Sequence, residues 1–149
     1  MKVDFDRDTL DDCLMAAGYD PSARTVFTWE GVSFYIGSAA VDAVLAFVAN
    51  RSGPKSAIVF DYLFKSVVDG TCDDPGATAS AKYVKAKGEP FTFGLDERAL
   101  RPFLAQRRLT LEDDLKPGEL EARFVGEHAS KWTHRVGRFY GLVTARVGT

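Results

Sequence analysis

The sequence is poor in the residues that usually announce a site. Cys13 and Cys72 are its only cysteines, far apart and without metal-type neighbours, which excludes a paired zinc motif. Two buried thiols in a reducing compartment is the plain reading. The only histidines, His128 and His134, are six positions apart. That spacing does not put both on one helix face, so each reads as a surface or helix-end residue rather than a ligand or base. There is no glycine-rich phosphate loop, no Walker lysine motif and no Gly-x-Ser-x-Gly elbow. No apolar run is long enough to span a bilayer, and the opening Met1-Lys2-Val3-Asp4-Phe5-Asp6 turns acidic too soon for a signal peptide. Charge is equally unmarked. Lys and Arg number 19 against 21 Asp and Glu, mixed along the chain, for a net charge of -2. With no basic stripe and no acidic tail, nucleic acid and disorder are both set aside. The expectation is a cytoplasmic protein with no metal, nucleic-acid or membrane partner.

What remains is ordinary material for a core. The 149 residues are 46% hydrophobic and fit one domain, 1–149. Asp8 reads as the cap of a short helix carrying Leu10, Leu14 and Met15. Thr25 to Trp29 is β-branched and aromatic, hence a strand. Ser38 caps a helix with Val41, Val44, Leu45 and Val48 at helical spacing. Ser56 to Tyr62 is a nearly continuous apolar run, the pattern of a strand covered on both faces. Asp73 to Gly76 reads as a turn and Ala77 to Lys87 as a helix. Asp96 caps another helix, Leu109 to Leu111 is a short strand, Pro117 to Phe124 a short helix and Phe139 to Val147 a last strand. Alternating strands and helices predict an α/β fold with helices on both faces of a sheet.

In open α/β sheets, ligands bind outside the carboxyl ends of the strands. Three such ends stand out: Val3-Asp4-Phe5, Trp29-Glu30-Gly31-Val32 and Asp61-Tyr62. A carboxylate there can accept from an amine or hydroxyl or sit near a cation. A glycine lets a ligand approach the backbone closely. Trp29, Phe34, Tyr35 and Tyr62 offer apolar walls and stacking surfaces. The competing reading is that these acids are merely solvated or cap the next helix.

Four segments, in order, resemble a bacterial family of S-adenosylmethionine (SAM)-dependent methyltransferases related to the leucine carboxyl methyltransferases. Thr25-Val26-Phe27-Thr28-Trp29-Glu30-Gly31-Val32-Ser33-Phe34-Tyr35-Ile36 resembles the segment following the family's fourth strand. Val3-Asp4-Phe5 resembles the end of its third strand, and Ile58-Val59-Phe60-Asp61-Tyr62 its fifth. Gly88-Glu89-Pro90-Phe91-Thr92-Phe93-Gly94-Leu95 resembles the lead into its next helix. Ile36-Gly37 departs from the family's usual Leu followed by Pro or Thr.

The resemblance implies a partial class I methyltransferase sheet, Rossmann-like, with its last strand antiparallel and its amino-terminal strands missing. It covers the whole chain but only about the last half of a full-length member. The cofactor it implies is S-adenosyl-L-methionine, and the reaction is methyl transfer to a small-molecule or peptide carboxylate or hydroxyl, impaired in a chain lacking the glycine-rich half. Carried over residue by residue, Asp4 would accept from the adenine amino group and Phe5 would meet the base. Glu30, with the Trp29 and Gly31 backbone, would line the methionine side. Tyr35, Asp61, Tyr62 and Phe93 would border the acceptor pocket. With the family's first strand absent, strand 25–29 becomes an edge open to a second copy or a complementing fragment. The alternatives are a non-catalytic remnant or binding module that keeps the fold but not the cofactor site, and a different α/β nucleotide-binding protein.

Overall fold

The computed structural model describes residues 3–4, 7–126 and 137–148. Phe5, His128 and His134 lie outside the described residues. In chain order the elements are α1 (Leu10–Ala16), β1 (Val26–Trp29), α2 (Ser38–Asn50), β2 (Ala57–Leu63), α3 (Lys65–Val68), α4 (Pro75–Ala86), α5 (Leu100–Ala105), β3 (Leu109–Leu115), α6 (Pro117–Leu120) and β4 (Tyr140–Val147).

The sheet runs β1-β2-β4-β3. β1 lies parallel to β2, and β4 runs antiparallel to both β2 and β3, as the resemblance implied for the last strand. β1 is an edge. Strand alternation assigns the faces. On one face Ile58, Phe60 and Tyr62 of β2 and Val143 and Ala145 of β4 are fully buried. They pack with Val41, Leu45 and Val48 of α2 and Leu100 and Leu104 of α5, and α1 adds Leu10 and Leu14. Burial of each large side chain contributes roughly 1.5–3 kcal/mol, enough for these few residues to fix the register. The other face is thinner. Leu63 is buried at its end among Phe34, Val67, Ala77 and Phe139, which brings in α3 and α4. Val59, Asp61, Leu142 and Thr144 stay half-buried, and Val26 on the edge is 67% exposed.

Local boundaries differ from the sequence reading for identifiable reasons. Thr9, not Asp8, caps α1: its hydroxyl accepts from the Asp12 N–H at 3.1 Å, while the Asp8 carboxylate accepts from the Asp4 N–H at 2.9 Å. Gly37 occupies the cap position of α2, and Ser38 is its first residue. The expected turn at 73–76 is a helix start instead. Asp74 caps α4 by accepting from the Ala77 N–H at 2.9 Å, and Pro75 takes the first helical position, where its missing N–H costs nothing. β3 continues through Glu112-Asp113-Asp114 because each acid meets a cation: Arg146, Arg123 and Lys116 in turn. A register shift between Leu111 and Asp113 places Glu112 in a bulge. Val3 and Asp4 lie outside the sheet.

Candidate functional site

β1 ends at Trp29, and the chain turns at Gly31, whose φ of 70° is one a side chain would resist. The turn aims the Gly31 N–H at the neighbouring strand. Both carboxylate oxygens of Asp61 accept from it, at 2.9 and 3.0 Å. The buried Ser33 hydroxyl donates to the main-chain carbonyl of Asp61 at 2.7 Å. Burial, aided by the Glu30 charge, raises the Asp61 carboxyl above its ordinary value, while the Gly31 N–H pulls it back down. Glu30 and Gly31 are exposed. A Cβ built at Gly31 would meet no heavy atom within 4 Å, so a ligand can come up against this backbone.

An aromatic wall stands beside the turn. The Phe34 carbonyl accepts from the Thr92 N–H at 2.8 Å, which fastens the 91–93 segment to the loop after β1. The Phe34 ring lies 4.8 Å from Tyr35 and 5.5 Å from both Phe91 and Tyr140, centroid to centroid. Tyr35 and Phe91 are also 5.5 Å apart. Burial, then the charges of Tyr35 and Asp61, push the Tyr140 phenol up to about 12. At neutral pH Tyr140 is therefore a neutral hydroxyl, able to donate. Together these groups form a shelf with two carboxylates, two phenols and apolar rings at the carboxyl ends of two parallel strands.

The other expected residues go elsewhere. The Trp29 ring packs toward Phe60, centroids 6.0 Å apart, on the helix-covered face, leaving its backbone at the strand end. Phe93 donates its N–H to the Phe34 carbonyl at 3.4 Å, but its ring lies 6.3 Å from Phe103 of α5. Asp4 sits in the turn before α1, where its carbonyl accepts from the Arg7 and Asp8 N–H groups. Phe5 lies outside the described residues. Tyr62 alternates to the opposite face from Asp61 and is fully buried. Its hydroxyl donates to Asp114 at 3.0 Å and accepts from the Lys116 ammonium. Lys116 also meets Asp114 at 2.9 Å and Glu97 at 3.2 Å. Burial lifts the Tyr62 phenol above its usual range. Burial works to lower Lys116, but its bonds to Tyr62, Asp114 and Glu97 outweigh that and hold it raised. Both groups keep their protons, so this cluster ties β2, β3 and the Glu97 turn together rather than offering a base.

Phe91, Ser33 and Tyr140 belong to the site and were not singled out from sequence. Tyr140 was recoverable: an antiparallel last strand starts beside the end of β2, and Tyr140 pairs with Leu63. Nothing ranked Phe91 above Phe93. A cleft of about 390 Å³ lined by Asp42, Asn50 and Arg107 lies between α2 and the end of α5. Its polar groups already bond one another, Arg107 Nε to Asp42 at 2.9 Å and Arg108 to Asn50 at 3.3 Å. The strand ends, with convergent polar groups still open to solvent, are the better candidate.

Residues 1–49 match the leucine carboxyl methyltransferase family profile. No curated protein sequence matches the chain. Among solved structures, a Listeria monocytogenes protein assigned to the SAM-dependent methyltransferases is 12% identical with a TM-score of 0.51, over 83% of this chain and 61% of its own. Human N-acetylserotonin methyltransferase in complex with SAM is 12% identical with a TM-score of 0.50, over 100% of this chain and 33% of its own. A possible exported protein from Bordetella parapertussis is 16% identical with a TM-score of 0.50, over 88% of this chain and 39% of its own. The chain thus spans from a third to three fifths of the length of these proteins. The family match covers a minority of the chain, and the solved structures share with it a partial Rossmann-like α/β fold. Among the described residues, no helix is long and apolar enough to cross a membrane.

Proposed function

We propose that this chain, with its partial class I methyltransferase fold, supplies the acceptor side and the methionine side of a SAM-dependent O-methyltransferase site. The observation that carries the reading is the Glu30-Gly31-Asp61 arrangement at the ends of β1 and β2, open to solvent and walled by Tyr35, Phe91 and Tyr140. Bound there, SAM supplies a methyl group already activated on a sulfonium. The protein's task is alignment and the exclusion of water. Glu30 brings negative charge to the cationic methionine end, and the Trp29-Gly31 backbone lines it. Asp4 and Phe5 serve the adenine. Tyr35 and Asp61 border the acceptor, with Tyr62 and Phe93 behind them, holding β2 and the 91–93 segment in place.

Small-molecule or peptide carboxylates fit best as acceptors. A carboxylate oxygen attacks without losing a proton, whereas a hydroxyl usually needs a base. Tyr140 is a donor rather than a base. Free Cys13 and Cys72 suit a cytoplasmic setting.

The open edge of β1 favours a second reading, a non-catalytic binding module that keeps the fold but not the cofactor site. Pairing along Val26–Trp29, with a second copy or a complementing segment, would extend the sheet beside the site, and the chain alone would transfer methyl groups poorly. The test is transfer of labelled methyl from SAM to a panel of carboxylates and hydroxyls. The expected result is slow, carboxylate-preferring transfer that is abolished by Glu30→Ala. A folded chain that neither binds S-adenosylhomocysteine nor transfers methyl to any acceptor would favour the module instead.

A further inference from the structure

Besides bordering the site, Asp61 holds the loop that carries Glu30 and Gly31. Both of its carboxylate oxygens are turned onto one backbone donor, the Gly31 N–H, at 2.9 and 3.0 Å. Its own carbonyl takes the hydroxyl of Ser33, two residues further along the same loop, at 2.7 Å. One residue of β2 thus holds the loop after β1 at two points, and the φ of 70° at Gly31 is what lets the N–H face the carboxylate. Charge-assisted bonds of this kind are the stronger sort and fix orientation.

We infer that Asp61 is a positioning residue: its ionised carboxylate clamps Gly31, and thereby sets where the Glu30 carboxylate and the Gly31 backbone stand when a cationic S-adenosyl ligand is at the strand end. The S-adenosyl ligand rests on the function proposed above; the clamp does not. The clamp should loosen in acid. Glu30 faces Asp61 from the end of β1, and Tyr140 faces it from β4 with Tyr35 beyond. Burial and the Glu30 charge favour the neutral acid, which is a weaker acceptor for the Gly31 N–H.

Amide NMR of the full chain tests this without any catalytic readout. In the wild type, the Gly31 amide proton should move with pH at the same midpoint as the Asp61 carboxyl carbon, above the ordinary 3.8. Hydrogen exchange at Gly31 should rise roughly ten- to a hundredfold in Asp61→Ala, and less in Asp61→Asn, which keeps one acceptor oxygen. Exchange at Leu45, in the core of α2, should stay put. A Gly31 shift that is flat while Asp61 titrates, or Gly31 exchange unchanged in Asp61→Asn, overturns the clamp, even if Asp61→Ala fails to fold. S-adenosylhomocysteine separates the two layers. A response at Glu30 in the wild type that is weakened in Asp61→Asn supports the positioning role, and one that is unchanged overturns it. No response in the wild type contradicts the proposed function, while the Gly31 data still decide the clamp.

Discussion

Gly141 is the space into which Tyr62 fits. The two stand directly opposite each other across β2 and β4. A Cβ built at Gly141 would lie 2.5 Å from Tyr62 Cζ and 2.7 Å from its Oη. The ring therefore lies flat over the bare backbone of β4, and that is how its hydroxyl reaches Asp114 on the far side. Tyr62 is fully buried, so it cannot swing aside. Gly141→Ala should destabilise by about 1–3 kcal/mol through overpacking, read as a lower urea midpoint. Combined with Tyr62→Leu, the costs should be less than additive, since the pair shares one space. An unchanged midpoint in Gly141→Ala would mean that the ring is not held there.

Asp61 should leave a signature in the pH dependence of stability. Its carboxyl is raised in the folded state, chiefly by burial. The folded protein then binds more protons than the unfolded chain over the window between the ordinary value near 3.8 and the raised one. Stability from this group accordingly falls as pH rises through that window, and the cost persists above it. Glu112 and Asp20 are lowered by their partners Arg146 and Ser22 and work in the opposite direction. The difference between wild type and Asp61→Asn isolates the group. Wild-type stability relative to the variant should decline from acid toward neutral pH. A difference that grows with pH would mean that the Gly31 bond outweighs burial.

Much of this architecture can be read from the chain and some of it cannot. The β2 run was legible because Ile58, Phe60 and Tyr62 are apolar on one face and Val59 and Leu63 on the other, which only a strand between two layers tolerates. Trp29-Glu30-Gly31 was legible as a strand end because a carboxylate and a glycine follow β-branched residues. Alternation also holds the information that Tyr62 turns away from Asp61, since adjacent residues of a strand face opposite sides. The extension of β3 through 112–114 was not legible, because Arg123 and Arg146 arrive from later in the chain and no local pattern reports them. The same is true of Phe91, whose place beside Tyr35 depends on a bond between Phe34 and Thr92.

The β1 edge should govern association. Val26 is 67% exposed on a strand with one neighbour among the described residues. Val26→Lys puts a charge where a second strand would pair, a device by which edges are protected. Self-association of the wild type should weaken by at least about tenfold in the variant, as followed by sedimentation velocity across a concentration series. A wild type that is monomeric throughout would show that the edge is not used between copies.

The proposed site stands or falls on whether the strand ends accept the cofactor's product form. Titrating the labelled chain with S-adenosylhomocysteine, and following its amide and indole signals, asks this directly and works for weak binding. Saturable shifts at Trp29, Glu30, Gly31 and Tyr35, with Lys116 and Tyr62 on the opposite face unmoved, are the expected result. A well-dispersed spectrum in which those four positions do not respond at any concentration would contradict it, and would leave a methyltransferase fold without a cofactor site at the ends of β1 and β2.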